Sequence, residues 1–247
     1  MEFILTESEF NEDNTAWNGN RFLMGNGYFG IRGTLEEYTK KQMCAVNMAG
    51  IYDKMGNSWR ESVNAPNPLY TYIKVNGKIY ALPDEKPKFH QQELDFRYGI
   101  PSRVTHWQTE HGNITVVCER FASIARQHNI AMKYTFSVDF DCEAEIITGI
   151  DGDVWDINGP HFVKMKIGSK DGADYVTGIT GEKNISVTVK EYIRTDFQAE
   201  QTNQNTDKSI FRHIKFSAKA EKEYIIEKIA EITTSVDDFG TSGSIDE

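Results

Sequence analysis

The chemically richest stretch of this 247-residue chain is DGDVWDINGPH, residues 151–161. Asp151, Asp153, Asp156, Asn158 and His161 are gathered around Trp155 within one turn-rich segment. A sugar site uses such a set. The indole packs on the apolar face of a pyranose, and the carboxylates accept hydrogen bonds from its hydroxyls. Asp153, Trp155, Asp156 and His161 are therefore the candidate substrate-facing residues. A purely structural loop would use the same side chains differently, with Trp155 in the core and the aspartates closing turns. A calcium loop does not fit, because the glycine at its sixth position and the glutamate at its twelfth are missing.

Elsewhere the chemistry is sparse. The histidines are His90, His106, His111, His128, His161 and His213, and none forms an HExxH or HxH spacing or a zinc-type pairing with cysteine. Cys44, Cys118 and Cys142 are too scattered for a disulfide framework or a CxxC site. There is no GxSxG nucleophile elbow. Gly25-Asn26-Gly27-Tyr28-Phe29-Gly30 has the spacing of a dinucleotide fingerprint, but no helix and no downstream acid follow in the right places. No catalytic residue, metal ligand or cofactor is assigned from these patterns. A pair of carboxylates for glycosidic work is defined by distance in space, which spacing along the chain does not give.

The elements that must position these residues are strands. Ile130, Met132, Tyr134, Phe136, Val138 and Phe140 alternate with Ala131, Lys133, Thr135, Ser137 and Asp139, which predicts a long strand with one buried face. Similar alternation runs through 114–121, 161–167, 185–189 and 210–216. Asn76-Gly77 between 69–75 and 78–82 predicts a tight hairpin. The glycine-punctuated run NRFLMGNGYFGIRGTLEE, residues 20–37, predicts strand, turn and strand, with Arg32 near Glu36 and Glu37 for an ion pair. Residues 198–208 are polar apart from Ala199 and predict an exposed loop. Convincing helical periodicity is nearly absent, so the expected fold class is all-β, a large antiparallel sandwich.

Composition narrows the classes of partner. A chain of this length buries roughly 70–75% of its unfolded surface and needs no disulfide or metal staple. The net charge is −10, with Lys and Arg dispersed, which argues against a nucleic-acid surface. No apolar run approaches a membrane span, and MEFILTESEF lacks a basic leader, so a cytoplasmic protein with no membrane partner is expected. The last residues, GTSGSIDE, lose apolar content and read as a linker.

Several segments together resemble a known family. RFLMGNGYFGIRGTLEE is similar to the F-x-x-G-N-G-Y-x-G-x-R-G-x-x-E-E signature of the N-terminal domain of glycoside hydrolase family 65, which comprises maltose, trehalose, kojibiose and nigerose phosphorylases. AGIYDKMGNSWRESVNAPNP resembles its G-x-Y-D…E-x-V-N-x-P segment, with Asn64 and Pro66 in place. QELDFRYGIPSRVTHW carries the matching Leu94, Asp95, Arg97, Gly99 and Arg103, and ERFASIARQHNIAMKYTF and GIDGDVWDINGPH continue the likeness. The resemblance implies a galactose mutarotase-like β-supersandwich over 1–235, and over 236–247 the start of a linker to an (α/α)6 barrel absent from this chain. In that family the barrel supplies the catalytic acid, and inorganic phosphate is the co-substrate that attacks the disaccharide with inversion. The implied partners are a disaccharide and a second copy of the full-length enzyme. No catalytic residue carries over to these positions, and Arg32 and Arg97 with Glu36, Glu37 and Asp95 read as structural ion pairs. The alternative is a free-standing carbohydrate-binding module or mutarotase-like epimerase, using His106 or His161 with a glutamate.

Overall fold

A computed structural model describes residues 3–237. Among them the chain runs through β1 (Ile4–Glu7), α1 (Thr15–Arg21), β2 (Met24–Gly25), β3 (Phe29–Ile31), β4 (Val46–Asp53), β5 (Glu61–Asn64), β6 (Thr71–Val75), β7 (Lys78–Tyr80) and β8 (Phe89–Asp95). It continues through β9 (Ile100–Gln108), β10 (Asn113–Ala122), β11 (Asn129–Val138), β12 (Cys142–Ile150), β13 (Phe162–Lys170) and β14 (Ala173–Thr180). The last elements are β15 (Ser186–Thr195), β16 (Glu200–Asn205), β17 (Ile210–Ala218) and β18 (Lys222–Thr234). A nine-stranded sheet has the order β1-β8-β9-β10-β11-β18-β15-β14-β13, a five-stranded sheet β16-β17-β12-β6-β7, and a four-stranded sheet β2-β3-β4-β5. Every strand pair is antiparallel. The large antiparallel all-β sandwich expected from the alternation, and the supersandwich implied by the resemblance, are the fold observed.

The alternation works as pleat geometry requires. Ile130, Met132, Tyr134, Phe136 and Val138 of β11 are buried, and they lie in register with Ala230, Lys228, Ile226, Tyr224 and Lys222 of β18. Burying each large apolar side chain contributes about 1.5–3 kcal/mol, so one such face is a substantial part of the core. Phe136, Phe197, Phe216 and Tyr224 close ranks in the interior, with the Phe197–Phe216 and Phe216–Tyr224 ring centroids 4.4 and 4.7 Å apart. The hairpin at Asn76-Gly77 has positive φ at both residues, 49° and 82°, as a two-residue turn of that type demands. The turn between β2 and β3 also forms, and Asn26 fixes it: its Oδ1 accepts from the Tyr28 and Phe29 backbone N–H groups. Its Nδ2 donates to the carbonyls of Ser123 and Gln127. Gly33 is required for a different reason, since a Cβ there would lie 2.4 Å from that of Phe22.

Two expectations are corrected, and one short helix is added. Residues 200–205 are not loop but the edge strand β16, with all six side chains exposed. Backbone pairing to β17 holds it there, without an apolar face. Residues 15–21 form α1, a helix too short to show periodicity. Arg32 does not pair with Glu36 or Glu37; its guanidinium donates to the carbonyls of Ala16 and Met43. The partners are Arg103, whose Nε and Nη2 lie 2.7 and 2.6 Å from Glu36 and Glu37, and Arg120, 2.9 Å from Glu36. Arg97 does pair with Asp95, but at the surface and only two residues away.

The Arg103 network joins all three sheets. Glu36 and Glu37 lie in the β3–β4 connection of the four-stranded sheet, Arg103 and Arg120 belong to β9 and β10, and the Glu36 carbonyl accepts from the Thr71 N–H of β6. Arg103 also donates to Thr105 Oγ1, which lies 2.9 Å from His90 Nδ1. A proton on both His90 nitrogens would place a second buried cation near Arg103. Burial, with the nearby Arg103 charge, pushes the His90 pKa down to about 4. The unfolded chain takes up this proton near the ordinary value of about 6.5, so stability falls as pH drops between those limits. His90 is expected to remove about 2 kcal/mol between pH 7 and pH 5, and His90→Gln to abolish that part of the slope. Urea unfolding of both proteins at the two pH values checks this; equal slopes would mean His90 titrates normally.

Candidate functional site

Residues 151–161 connect β12 to β13 and divide into two halves with different surroundings. In the first half Asp151 pairs its backbone with Asn67, and its Oδ1 accepts from the Asp153 N–H and the Ser209 hydroxyl. Burial raises the Asp151 pKa despite these donors. Asp153 lies nearer the surface between Lys40 Nζ at 2.6 Å and Lys208 Nζ at 2.7 Å. Its partial burial is outweighed by the two ammonium groups, and its pKa is lowered. Trp155 is half-buried. Its carbonyl accepts from Asn64 Nδ2, while Asn64 Oδ1 caps the Val46 N–H 2.6 Å away.

The second half closes on Glu61, the first residue of β5. Glu61 Oε1 accepts from the backbone N–H groups of Ile157 and Asn158 at 3.0 and 2.8 Å, and Oε2 from Asn158 Nδ2. His161 Nε2 lies 2.8 Å from the same Oε1. Asp156 Oδ1 lies 4.0 Å from that nitrogen, and Asp53 Oδ2 3.9 Å from Nδ1 on the other edge of the ring. Asp53 itself is held by the N–H groups of Gly181 and Glu182. Burial opposes ionisation of Glu61, but its hydrogen bonds to Asn158 and His161 prevail and lower its pKa, whereas burial raises that of Asp156.

The structure thus brings Asp156 and His161 together and sets Asp153 and Trp155 apart from them, toward Lys40 and Asn64. His161 is wholly enclosed, so within this chain it meets carboxylates and not a sugar. Asp153 and Trp155, half-buried, and Ile157, 62% exposed, form the accessible part of the loop. His106 is half-buried on β9, with Nδ1 on Thr115 Oγ1. The anchoring residues Asp53, Glu61 and Asn64 were not singled out as site residues, although all three stand in the 49–68 segment. They were findable there as polar residues at fixed spacing, but their partners lie about a hundred positions downstream.

Comparison with known proteins identifies the family. Residues 5–246 match the glycosyl hydrolase family 65, N-terminal domain. Nigerose phosphorylase of Lachnoclostridium phytofermentans is 40% identical over 260 aligned positions, covering 96% of this chain and 34% of that protein. The 1,2-alpha-glucosylglycerol phosphorylase of Bacillus selenitireducens is 36% identical, covering 89% of this chain and 29% of its own length. Among solved structures, a putative kojibiose phosphorylase from the human microbiome superimposes with a TM-score of 0.85 at 19% identity, over 95% of this chain and 33% of that one. The chain therefore spans about a third of the length of the relatives it matches. With the signature residues now seen as the joints between sheets and loop, the chain belongs to glycosyl hydrolase family 65, as its N-terminal domain.

Proposed function

We propose that this chain serves as the non-catalytic N-terminal sandwich, residues 1–235, of an inverting phosphorylase acting on α-glucosides, with 236–247 opening the linker toward a catalytic barrel. Residues 238–247 lie outside the described residues. The observation that carries this reading is the match of nearly the whole chain to about a third of phosphorylases such as nigerose phosphorylase. In the full-length protein a disaccharide and inorganic phosphate would be the substrates, the assembly a homodimer and the compartment the cytoplasm. Among the described residues no helix is long and apolar enough to cross a membrane. Asp153, Trp155, Asp156 and His161 would act as one loop: the buried half fixes its shape, and Asp153 and Trp155 face the substrate side. The epimerase reading needs an open face lined by an acid and a base. The interior is instead filled by Phe136, Phe197, Phe216 and Tyr224.

The test is phosphorolysis by the chain alone. Nigerose, kojibiose, trehalose and maltose are each incubated with phosphate, and β-glucose 1-phosphate is assayed. No product above blank is expected. Turnover that survives removal of copurifying enzyme would refute the non-catalytic assignment.

A further inference from the structure

The geometry points to a divalent-cation site in which Glu61, Asp156 and His161 Nε2 are the ligands and Asp53 orients the imidazole. The argument begins with charge. Three carboxylates, those of Asp53, Glu61 and Asp156, surround His161, and among the described residues each makes its ion-pair contact with that ring. The side chains are 0–9% exposed, so bulk water does little to screen their mutual repulsion. Hydrogen bonding does not resolve the arrangement. If Nε2 carries the proton toward Glu61, the bare lone pair of Nδ1 faces Asp53 Oδ2 at 3.9 Å. If both nitrogens are protonated, that gap is too long for a hydrogen bond. In either state Nδ1 is a fully buried polar atom without a partner.

A cation on Nε2 offsets the carboxylate charge. It displaces the Nε2 proton, fixes the other tautomer, and turns Nδ1 from a bare lone pair facing a carboxylate into an N–H whose neighbour at 3.9 Å, Asp53 Oδ2, attracts it electrostatically rather than through a hydrogen bond. A ligating histidine commonly directs its second N–H at a carboxylate. The three ligand atoms lie within 4.8 Å of one another. The separations from Nε2, 2.8 Å to Glu61 and 4.0 Å to Asp156, bracket the edge of about 3.4 Å of a tetrahedral site with metal–ligand bonds near 2.1 Å, so small side-chain rotations would bring all three atoms onto one ion. One imidazole with two carboxylates suits Zn2+ or Mn2+ better than Ca2+, which takes oxygen ligands. Ligand spacing in the sequence gives no hint of the site, because seven strands, β6 to β12, separate position 61 from 156 and 161. The cation would clip the β12–β13 loop to the β4–β5 hairpin, independently of any catalytic role of the full-length enzyme.

The chain is stripped with EDTA, dialysed, and titrated calorimetrically with Zn2+ and with Mn2+, and Tm is followed. One equivalent should bind and raise Tm. Asp156→Asn, nearly isosteric, should weaken binding at least tenfold while the circular dichroism spectrum is retained. Asp53→Asn should weaken it by about 10–100-fold. A readout without mutation is pulsed EPR of the Mn2+ form, which should show coupling to one imidazole nitrogen. Absence of binding to the wild-type chain overturns the site. So does binding unaffected by Asp156→Asn, or bound Mn2+ without nitrogen coupling.

Discussion

Replacing Arg103 by Met should destabilise the chain by about 3–5 kcal/mol, the usual result of stranding a buried charge partner. Arg103 is 3% exposed, and it is the only group that touches both Glu36 and Glu37 among the described residues. Burial raises the Glu37 pKa against the pull of Arg103, so without the guanidinium this carboxyl is left in an apolar setting with only the Leu82 N–H. Arg120 still serves Glu36. A second substitution, Glu37→Gln, should therefore restore part of the loss in the Arg103→Met background, because it removes the charge that was stranded. Urea unfolding of the wild type, both single variants and the double variant gives the coupling directly. An Arg103→Met protein within about 1 kcal/mol of wild type would mean that the network is incidental to the joining of the sheets.

Lys228→Met should cost a similar amount, about 3–5 kcal/mol, through a separate cross-link. Lys228 projects from β18 into the sandwich, where Nζ lies 2.9 Å from Glu191 Oε2 and donates to the carbonyls of Pro68 at 2.9 Å and Gly149 at 3.1 Å. Two carbonyls accept ammonium protons and Glu191 supplies the counter-charge, which opposes the lowering of the Lys228 pKa by burial. Glu191 on β15 is completely enclosed, and burial raises its pKa. Without Lys228 it must take up a proton or remain an unpaired anion. The double variant Lys228→Met with Glu191→Leu should be more stable than Lys228→Met alone, since both charges are then gone and the volume is kept. A double variant worse than the sum of the singles would overturn this account. It would then be the hydrogen bonds to Pro68 and Gly149, not the stranded carboxylate, that matter.

Strand positions were legible because a pleat writes its period into the side chains. Ile130 to Val138 alternate in sequence and in burial alike. The exception, β16, has the composition of a loop: EQTNQN offers no apolar face, and its strand conformation comes from the hydrogen-bonding edge of β17. Sequence chemistry also flagged Glu36 and Glu37 as ion-pair members but chose the neighbouring Arg32. Proximity along the chain is a poor guide to partners once the chain reverses between sheets, and the true partners are 66 and 67 residues away from Arg103.

The candidate loop divides in the same way. Residue types alone determined that this is an antiparallel β chain of the glycosyl hydrolase family 65 N-terminal domain, with its polar chemistry concentrated at 151–161. Only the tertiary structure decided which of those side chains are enclosed. His161 and Asp156 turn toward Glu61 and Asp53, while Asp153 goes to two lysines, because Glu61 and Asp53 lie opposite one half of the loop and Lys40 and Lys208 opposite the other. Burial is a property of what lies opposite, and what lies opposite here comes from about a hundred residues earlier in the chain.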